Sequence, residues 1–301
     1  MSFEVDLAKI RADTTSGATQ LAKKAALTIA RTVENGKFQS TNAFRRFLND
    51  AVRAIVATQP AMAPMINLAS LILEESKTSR DLDALRDKIA SAARFFARQM
   101  DENSLRVAER SAELIQDGMV IMTHSSSQAV LQTLLKAKSA RRPIEVVCTE
   151  SRPTNEGIGL ARRLAKQGIR VTLIADAAMM SKLQQASLVI VGADAITAEG
   201  LVNKMGTALL ALAARKLRKK MYALCGSEKF VPAGYRLPLE PPKDPTELLP
   251  RSVPKIAVWN YYFDLTPLGM LTGVVSEDGL VLPAELRRRL KRLKAFLPQP
   301  A

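Results

Sequence analysis

The hydrophobic pattern breaks at Gly118, and that break constrains the fold more than any other feature of the sequence. Before it, residues 1–117 contain only two glycines, Gly17 and Gly36, and two prolines, Pro60 and Pro64. Apolar side chains recur there three and four positions apart, as in Leu21, Ala25 and Ile29, or Phe44, Leu48, Val52 and Ile55, or Leu82, Leu85 and Ile89. That spacing lays an apolar stripe along one side of each of a series of helices, so a helical domain is expected over 1–117. Ser40–Thr41 and Thr78–Ser79 offer hydroxyls at positions suited to helix N-caps.

After Gly118 the apolar residues come instead in short runs: 119–122, 144–148, 171–175, 188–193, 221–225 and 255–259. Most are rich in Val and Ile, and several are apolar throughout, as strands covered on both faces are. Helical stretches such as Gln128–Lys138, Gly159–Gln167, Met179–Gln185 and Met205–Lys220 lie between them. Strand–helix alternation folds into a parallel sheet. The expected fold class is therefore α/β: an N-terminal helical bundle, then a Rossmann-like doubly wound parallel sheet over 118–301. The proline-rich segment 232–254 is expected to run as an extended loop.

Composition excludes several functions. Two cysteines, Cys148 and Cys225, and a single histidine, His124, leave no disulfide framework, no Cys-rich zinc module and no multi-His metal cage. No metal and no cofactor are expected. The start, MSFEVDLAKIRAD, has acids and no apolar core, so it does not read as a signal peptide. No apolar stretch approaches the ~18 residues that span a bilayer, and a cytoplasmic protein with no membrane partner is expected. The net charge of +15 is concentrated in the second part of the chain, most densely in AELRRRLKRLKAF. Such a cluster suits RNA or polyphosphate; the alternative is a solvated helix face.

Ligands of open parallel sheets bind beyond the carboxyl ends of the strands. Those ends carry Thr123-His124-Ser125-Ser126-Ser127, Thr149-Glu150-Ser151-Arg152-Pro153, Asp176, Asp194 and Gly226-Ser227-Glu228-Lys229, and Asn203-Lys204 opens a further helix. Hydroxyls at a helix start, a guanidinium, an ammonium group and carboxylates suit a phosphorylated, hydroxyl-rich small molecule. In that reading Arg152 clasps phosphate, Lys204 adds a point charge, and Asp194 moves a proton or accepts sugar hydroxyls. The alternatives are structural: serines that only cap a helix, Arg152 paired with Glu150 or Glu156, and Asp176 capping the next helix. Cys148 and Cys225 fall within strands and read as small core residues.

Five segments carry a family resemblance: MTHSSSQAVLQ (122–132), VVCTESRPTNEG (146–157), VTLIADAA (171–178), IVGADAITAEGLVNKMGT (190–207) and WNYYFDLTPLGMLTGVVSEDG (259–279). In order and spacing the sequence resembles the family joining the alpha, beta and delta subunits of translation initiation factor 2B to methylthioribose-1-phosphate isomerase and ribose-1,5-bisphosphate isomerase. The resemblance implies, for the isomerases, a proton-transfer pair made of a Cys directly after Thr-His and an Asp in Gly-Ala-Asp. Asp194 occupies the second position; Ser125 occupies the first. An alcohol is a far weaker acid than a thiol, so Ser125 is a poor replacement unless a base activates it. The resemblance also implies an Arg-Gly-Ala element near the N-terminus, where this chain has Ser16 before Gly17 and Ala18. Arg152, Asn203 and Lys204 match the family's ligand-contacting motifs, and with Gly17, Ala18 and the helix-start Ser126 they are the expected substrate-binding residues.

The leading expectation is a regulatory, initiation factor 2B subunit-like protein that binds a phosphorylated pentose or nucleotide in the inter-domain cleft. An aldose–ketose isomerase on a phosphorylated ribose is the alternative, and an RNA binder a third. The resemblance implies a homodimer or larger assembly through the C-terminal domain, and a translation factor as a possible partner. Trp259, Tyr261, Tyr262 and Phe263 are the expected interface anchors.

Overall fold

A computed structural model describes residues 3–13, 16–237 and 240–293. Five helices come first: α1 (Phe3–Ala12), α2 (Ala18–Asn35), α3 (Thr41–Thr58), α4 (Ala63–Glu75) and α5 (Leu82–Ala112). Their apolar stripes meet in one core that includes Leu21, Phe44, Leu48, Ile55, Leu85 and Ile89. Each such side chain contributes roughly 1.5–3 kcal/mol by leaving water. Ser40 caps α3 as expected, its Oγ accepting from the Ala43 N–H at 3.2 Å. At α5 the cap is Asp81, one turn before Ala84, whose N–H meets Asp81 Oδ1 at 2.7 Å. The expected Ser79 is one step removed: its Oγ accepts the Asp81 N–H.

The second part builds a seven-stranded sheet from β1 (Val120–Thr123), β2 (Glu145–Thr149), β3 (Arg170–Ile174), β4 (Leu188–Val191), β7 (Met221–Leu224), β9 (Gly273–Ser276) and β10 (Gly279–Val281). Their spatial order is β10-β9-β7-β4-β1-β2-β3. All neighbours run parallel except the edge pair β9 and β10. Helices α6 (Gln128–Ser139), α7 (Glu156–Lys166), α8 (Met179–Leu183), α9 (Thr207–Lys216) and α10 (Pro283–Arg292) connect and cover it. Successive strand residues point to opposite faces. Ile121, Val146 and Ile190 enter the core beneath α6 and α7, while Met122, Val147 and Val191 enter the one beneath α8, α9 and α10. Coverage on both faces is the reason the central strands β4 and β7 are buried along their whole length, whereas edge strand β3 is largely exposed.

A second, three-stranded sheet orders β5 (Ala195–Ile196), β6 (Gly200–Lys204) and β8 (Phe263–Pro267). It places Asn203 and Lys204 on a strand rather than at a helix start; α9 begins three residues later. The run at 255–259, expected as a strand, forms none. Ile256 and Trp259 stand in solvent, 55% and 69% exposed. Tyr262 is buried and Phe263 packs against two cores, so only Trp259 and Tyr261, with rings 4.7 Å apart, remain near the surface as a pair.

The pattern break at Gly118 is not a break in packing. α5 starts in the helical core through Leu85 and Ile89, and its later residue Val107 belongs to the core of the sheet. On α10 the buried side chains are Leu286 and Leu290, and Arg288 and Arg289 pair with Glu285 and Asp278. The last residues of the basic cluster, from Lys294, lie outside the described residues. Among the described residues no helix is long and apolar enough to cross a membrane.

Candidate functional site

Strand order fixes where the site lies. From β1 the chain moves outward to β2 and β3, then returns to place β4 on the other side of β1. The loops after β1 and β4 therefore part at a switch point, where open α/β sheets form their crevice. Gly192 lets these loops approach closely, since a Cβ there would lie 2.6 Å from that of Ser127. The N-terminal helices close the crevice from above: the Ala63 N–H donates to the Asp194 carbonyl at 3.0 Å, and Gly17 faces the Ser126 carbonyl. The result is a cavity of about 580 Å³.

Three helices, α2, α6 and α7, begin at its wall, through Ala18 to Gln20, Ser126 to Gln128, and Asn155 and Glu156. Helix starts carry unpaired N–H groups and a positive dipole end, both favourable to an anion. Cations from separate elements add to this: Arg162, Arg163, Lys204, Lys229 and Lys243 all line the cavity. Lys204 and Lys229 are buried, which is costly for an ammonium group without a nearby negative charge.

Ser125 turns the chain between β1 and α6 with φ of 69°, in the left-handed region. Its N–H donates to Ser151 Oγ at 2.8 Å, and its hydroxyl donates to Glu156 Oε1 at 2.8 Å. Lys204 Nζ lies 3.0 Å from the same carboxylate oxygen and 3.0 Å from Thr154 Oγ1, which bonds Glu156 Oε2. The Lys204 ammonium also sits 4.6 Å above the Tyr262 ring, whose centroid is 4.7 Å from Lys243 Nζ. Asp194 is held differently. Burial pushes its carboxyl above the ordinary aspartate range, against the pull of Lys229 and Lys204 and with a further push from Glu156.

His124 is a framework residue. Its Nε2 lies 2.8 Å from the Met205 carbonyl, which can only accept, so Nε2 carries the proton. Burial lowers the pKa of the ring. Neutral Nδ1 then accepts from Thr149 Oγ1 at 2.7 Å; Thr149 accepts from Ser151 at 2.9 Å, and Ser151 from the Ser125 N–H. One directed chain of bonds thus fixes the loop that presents Ser125.

Not every expected residue reaches the cavity. Gly17, Ala18, Ser125, Ser126, Asp194, Asn203 and Lys204 line it; Arg152 does not. Arg152 pairs with neither Glu150 nor Glu156. Its guanidinium bonds the Glu247 carbonyl at 2.7 Å, and its N–H meets Asp176 Oδ2. Asp176 takes the Ser151 N–H on its other oxygen, so it braces this loop rather than capping a helix. Asn203 supports the start of α9 through Thr207 Oγ1 at 2.9 Å. Cys148 and Cys225 are buried away from the cavity lining, and burial raises both thiols, Cys148 to about 12. Sequence reasoning missed Glu156, Arg163, Lys243 and Tyr262 as cavity residues. Lys229 stood among the strand-end residues, closing the segment after β7, but without a role of its own. Arg163 lies two turns into α7, where only the placement of that helix aims it at Ser126 Oγ, 2.8 Å away.

The Initiation factor 2 subunit family matches residues 14–283. The chain belongs to that family. Among relatives, ribose 1,5-bisphosphate isomerase of Thermococcus kodakarensis is 32% identical over 280 residues, covering 89% of this chain and 87% of that protein. A translation initiation factor eIF-2B subunit 2-like protein of Pyrococcus horikoshii is 36% identical, covering 92% and 95%. Among solved structures, translation initiation factor eIF-2B of P. horikoshii superposes with a TM-score of 0.82 at 33% identity, over 93% of this chain and 97% of that one. The 5-methylthioribose 1-phosphate isomerase of the same organism gives 0.74 at 26% identity, over 96% and 87%.

Proposed function

We propose that this chain binds a phosphorylated pentose or a nucleotide in the cavity between helical domain and sheet, as an initiation factor 2B subunit-like protein. The observation that carries the reading is the lining itself: buried Lys204 and Lys229 beside three helix starts and the half-buried Asp194. The relatives include enzymes named for a phosphorylated ribose, which supports the same ligand class. Ser125 in place of a thiol, with both cysteines buried elsewhere, favours a regulatory role over thiol-dependent isomerisation. A thermal-shift panel of ribose 5-phosphate, ribose 1,5-bisphosphate and adenosine monophosphate tests the binding. At least one should raise the melting temperature; Lys204→Ala should abolish that rise, and Arg152→Ala, outside the cavity, should leave it. A panel without any shift refutes the reading.

The proposal includes assembly with a second copy. Leu209 and Leu212 on α9, Leu265 on β8 and Met180 on α8 are exposed apolar side chains on neighbouring elements. Such a face is rarely left in water, and eIF2B relatives form multi-subunit complexes. Light scattering at micromolar concentration should give at least twice the 32.9 kDa chain mass, and Leu209→Glu with Leu212→Glu should reduce it to one chain.

A second reading, isomerisation of the bound sugar phosphate, is favoured by one specific observation. Of the three carboxyl residues that line the cavity, Asp13, Glu156 and Asp194, the last two have contrasting partners: Glu156 meets Lys204, and Asp194 is pushed toward its acid by burial.

A further inference from the structure

Glu156 is anchored on three sides. Ser125 Oγ and Lys204 Nζ meet its Oε1 at 2.8 and 3.0 Å, and Thr154 Oγ1 meets Oε2. A carboxylate offers about four lone-pair positions, so one on Oε2 is left beside the cavity that Glu156 lines. Asp194 lines the same cavity with no hydrogen bond to its carboxyl oxygens among the described residues. Burial drives it toward the neutral acid, and the negative charge of Glu156 adds to that drive. A carboxyl pressed toward its acid form beside one that accepts three hydrogen bonds can divide the donor and acceptor roles between them.

Resting on the isomerase reading above, we propose that Glu156 is the proton acceptor of this cavity and Asp194 its proton donor, so that a sugar 1-phosphate is isomerised without a thiol. Asp194 gives its proton to the ring oxygen as the bond from C1 to that oxygen breaks, the bonding pair leaving with the oxygen. Glu156 removes the C2 hydrogen as a proton, and the electron pair left behind forms the C1–C2 double bond of an enol. Glu156 then returns its proton to C1, while the enol hydroxyl on C2 passes its proton to the Asp194 carboxylate. The product is the 2-ketose phosphate, both carboxyls regain their starting states, and no oxidant or reductant takes part. Ser125 is a positioning residue here: its hydroxyl holds Oε1, and its left-handed backbone sets where that hydroxyl points.

The test uses the full chain with ribose 1,5-bisphosphate and 5-methylthioribose 1-phosphate as probes. Product is followed by phosphorus NMR, and exchange of the C2 hydrogen in heavy water by proton NMR. The unmodified protein should convert or exchange at least one probe. Glu156→Gln, nearly isosteric, should lower that rate by about 10³-fold while the ligand-induced rise in melting temperature persists. Glu156→Asp should retain a measurable rate, and melting curves of both variants establish that they fold. Ser125→Ala should cost only about tenfold, less than a proton-transfer group does. A thermal shift with neither turnover nor exchange overturns this inference and leaves the binding proposal standing, as does an unchanged rate in Glu156→Gln. No thermal shift with either probe, and none in the panel above, overturns the binding proposal itself.

Discussion

Gly157→Ala is expected to lower stability by about 3 kcal/mol and to abolish ligand binding with it. Gly157 is the second residue of α7, and a Cβ there would lie 2.0 Å from the Thr149 carbonyl oxygen and 2.7 Å from Ser151 Oγ. The carbonyl belongs to the end of β2 and cannot swing aside as a flexible side chain could. Helix α7 must therefore move away from β2, and it carries Glu156 with it. Thr149 and Ser151 are also the middle links of the bond chain from His124 to Ser125, so the displacement reaches both walls of the crevice. Gly159→Ala, two residues further on, is the comparison: nothing lies within 4 Å of its added carbon. Inside a helix that change should gain about 0.5–1 kcal/mol. Chemical denaturation of the two variants beside the unmodified protein measures the difference, and equal midpoints would refute the close-approach argument.

The same glycine illustrates what could be read from the sequence and what could not. The break at Gly118, the helix-periodic stripes before it and the apolar runs after it translate directly into layers, because burial on one face or two sets the spacing of apolar residues. The runs at 119–122, 144–148, 171–175, 188–193 and 221–225 became β1, β2, β3, β4 and β7 with ends shifted by a residue or two. The run at 255–259 did not, because an apolar run is only a strand if a neighbouring strand offers it backbone partners. Here the chain passes along the surface and leaves Trp259 exposed. Strands β6 and β8 escaped notice for the opposite reason: their pairing joins residues about 60 positions apart, as with Lys204 and Phe263, and local pattern carries no trace of it; β5, which pairs with β6 across a short hairpin, is only two residues long.

Site residues divide along the same line. Ser125 and Asp194 lie at the cavity because a strand end fixes where the following residues go, whereas Lys204 reaches it from β6 and not from the helix start expected. Arg152 was misleading: a strand-end arginine has the right charge, but its backbone N–H is held by Asp176 and its side chain turns to the Glu247 carbonyl. Glu156 was visible only as a possible partner of that arginine. Its actual partner, Lys204, comes from a strand whose existence the local pattern did not disclose. What a charged residue does in the cavity depends on which opposite charge reaches it first, and that is a property of the three-dimensional arrangement.

Lys229→Met should weaken binding of a phosphorylated ligand by about 100-fold, in line with loss of a hydrogen bond to a charged group, and should do so with a stability cost that grows with pH. Methionine keeps the aliphatic length of the side chain and removes only the charge, so no large void opens in the wall. Lys229 is the strongest of the groups that hold the Asp194 carboxyl down against its burial. Without that cation Asp194 rises further above the unfolded aspartate value. A group raised in this way contributes stability in full below its unfolded pKa and loses the contribution as pH climbs through the folded value. In acid, with Asp194 neutral in both proteins, the missing ammonium group matters least. At higher pH the unmodified protein keeps an attraction between Lys229 and the ionised carboxylate, which the variant lacks. The melting-temperature gap between the two should therefore widen as pH rises from about 4 toward 8. A gap that stays constant, or binding of every phosphorylated probe within threefold of the unmodified protein, would remove Lys229 from the site.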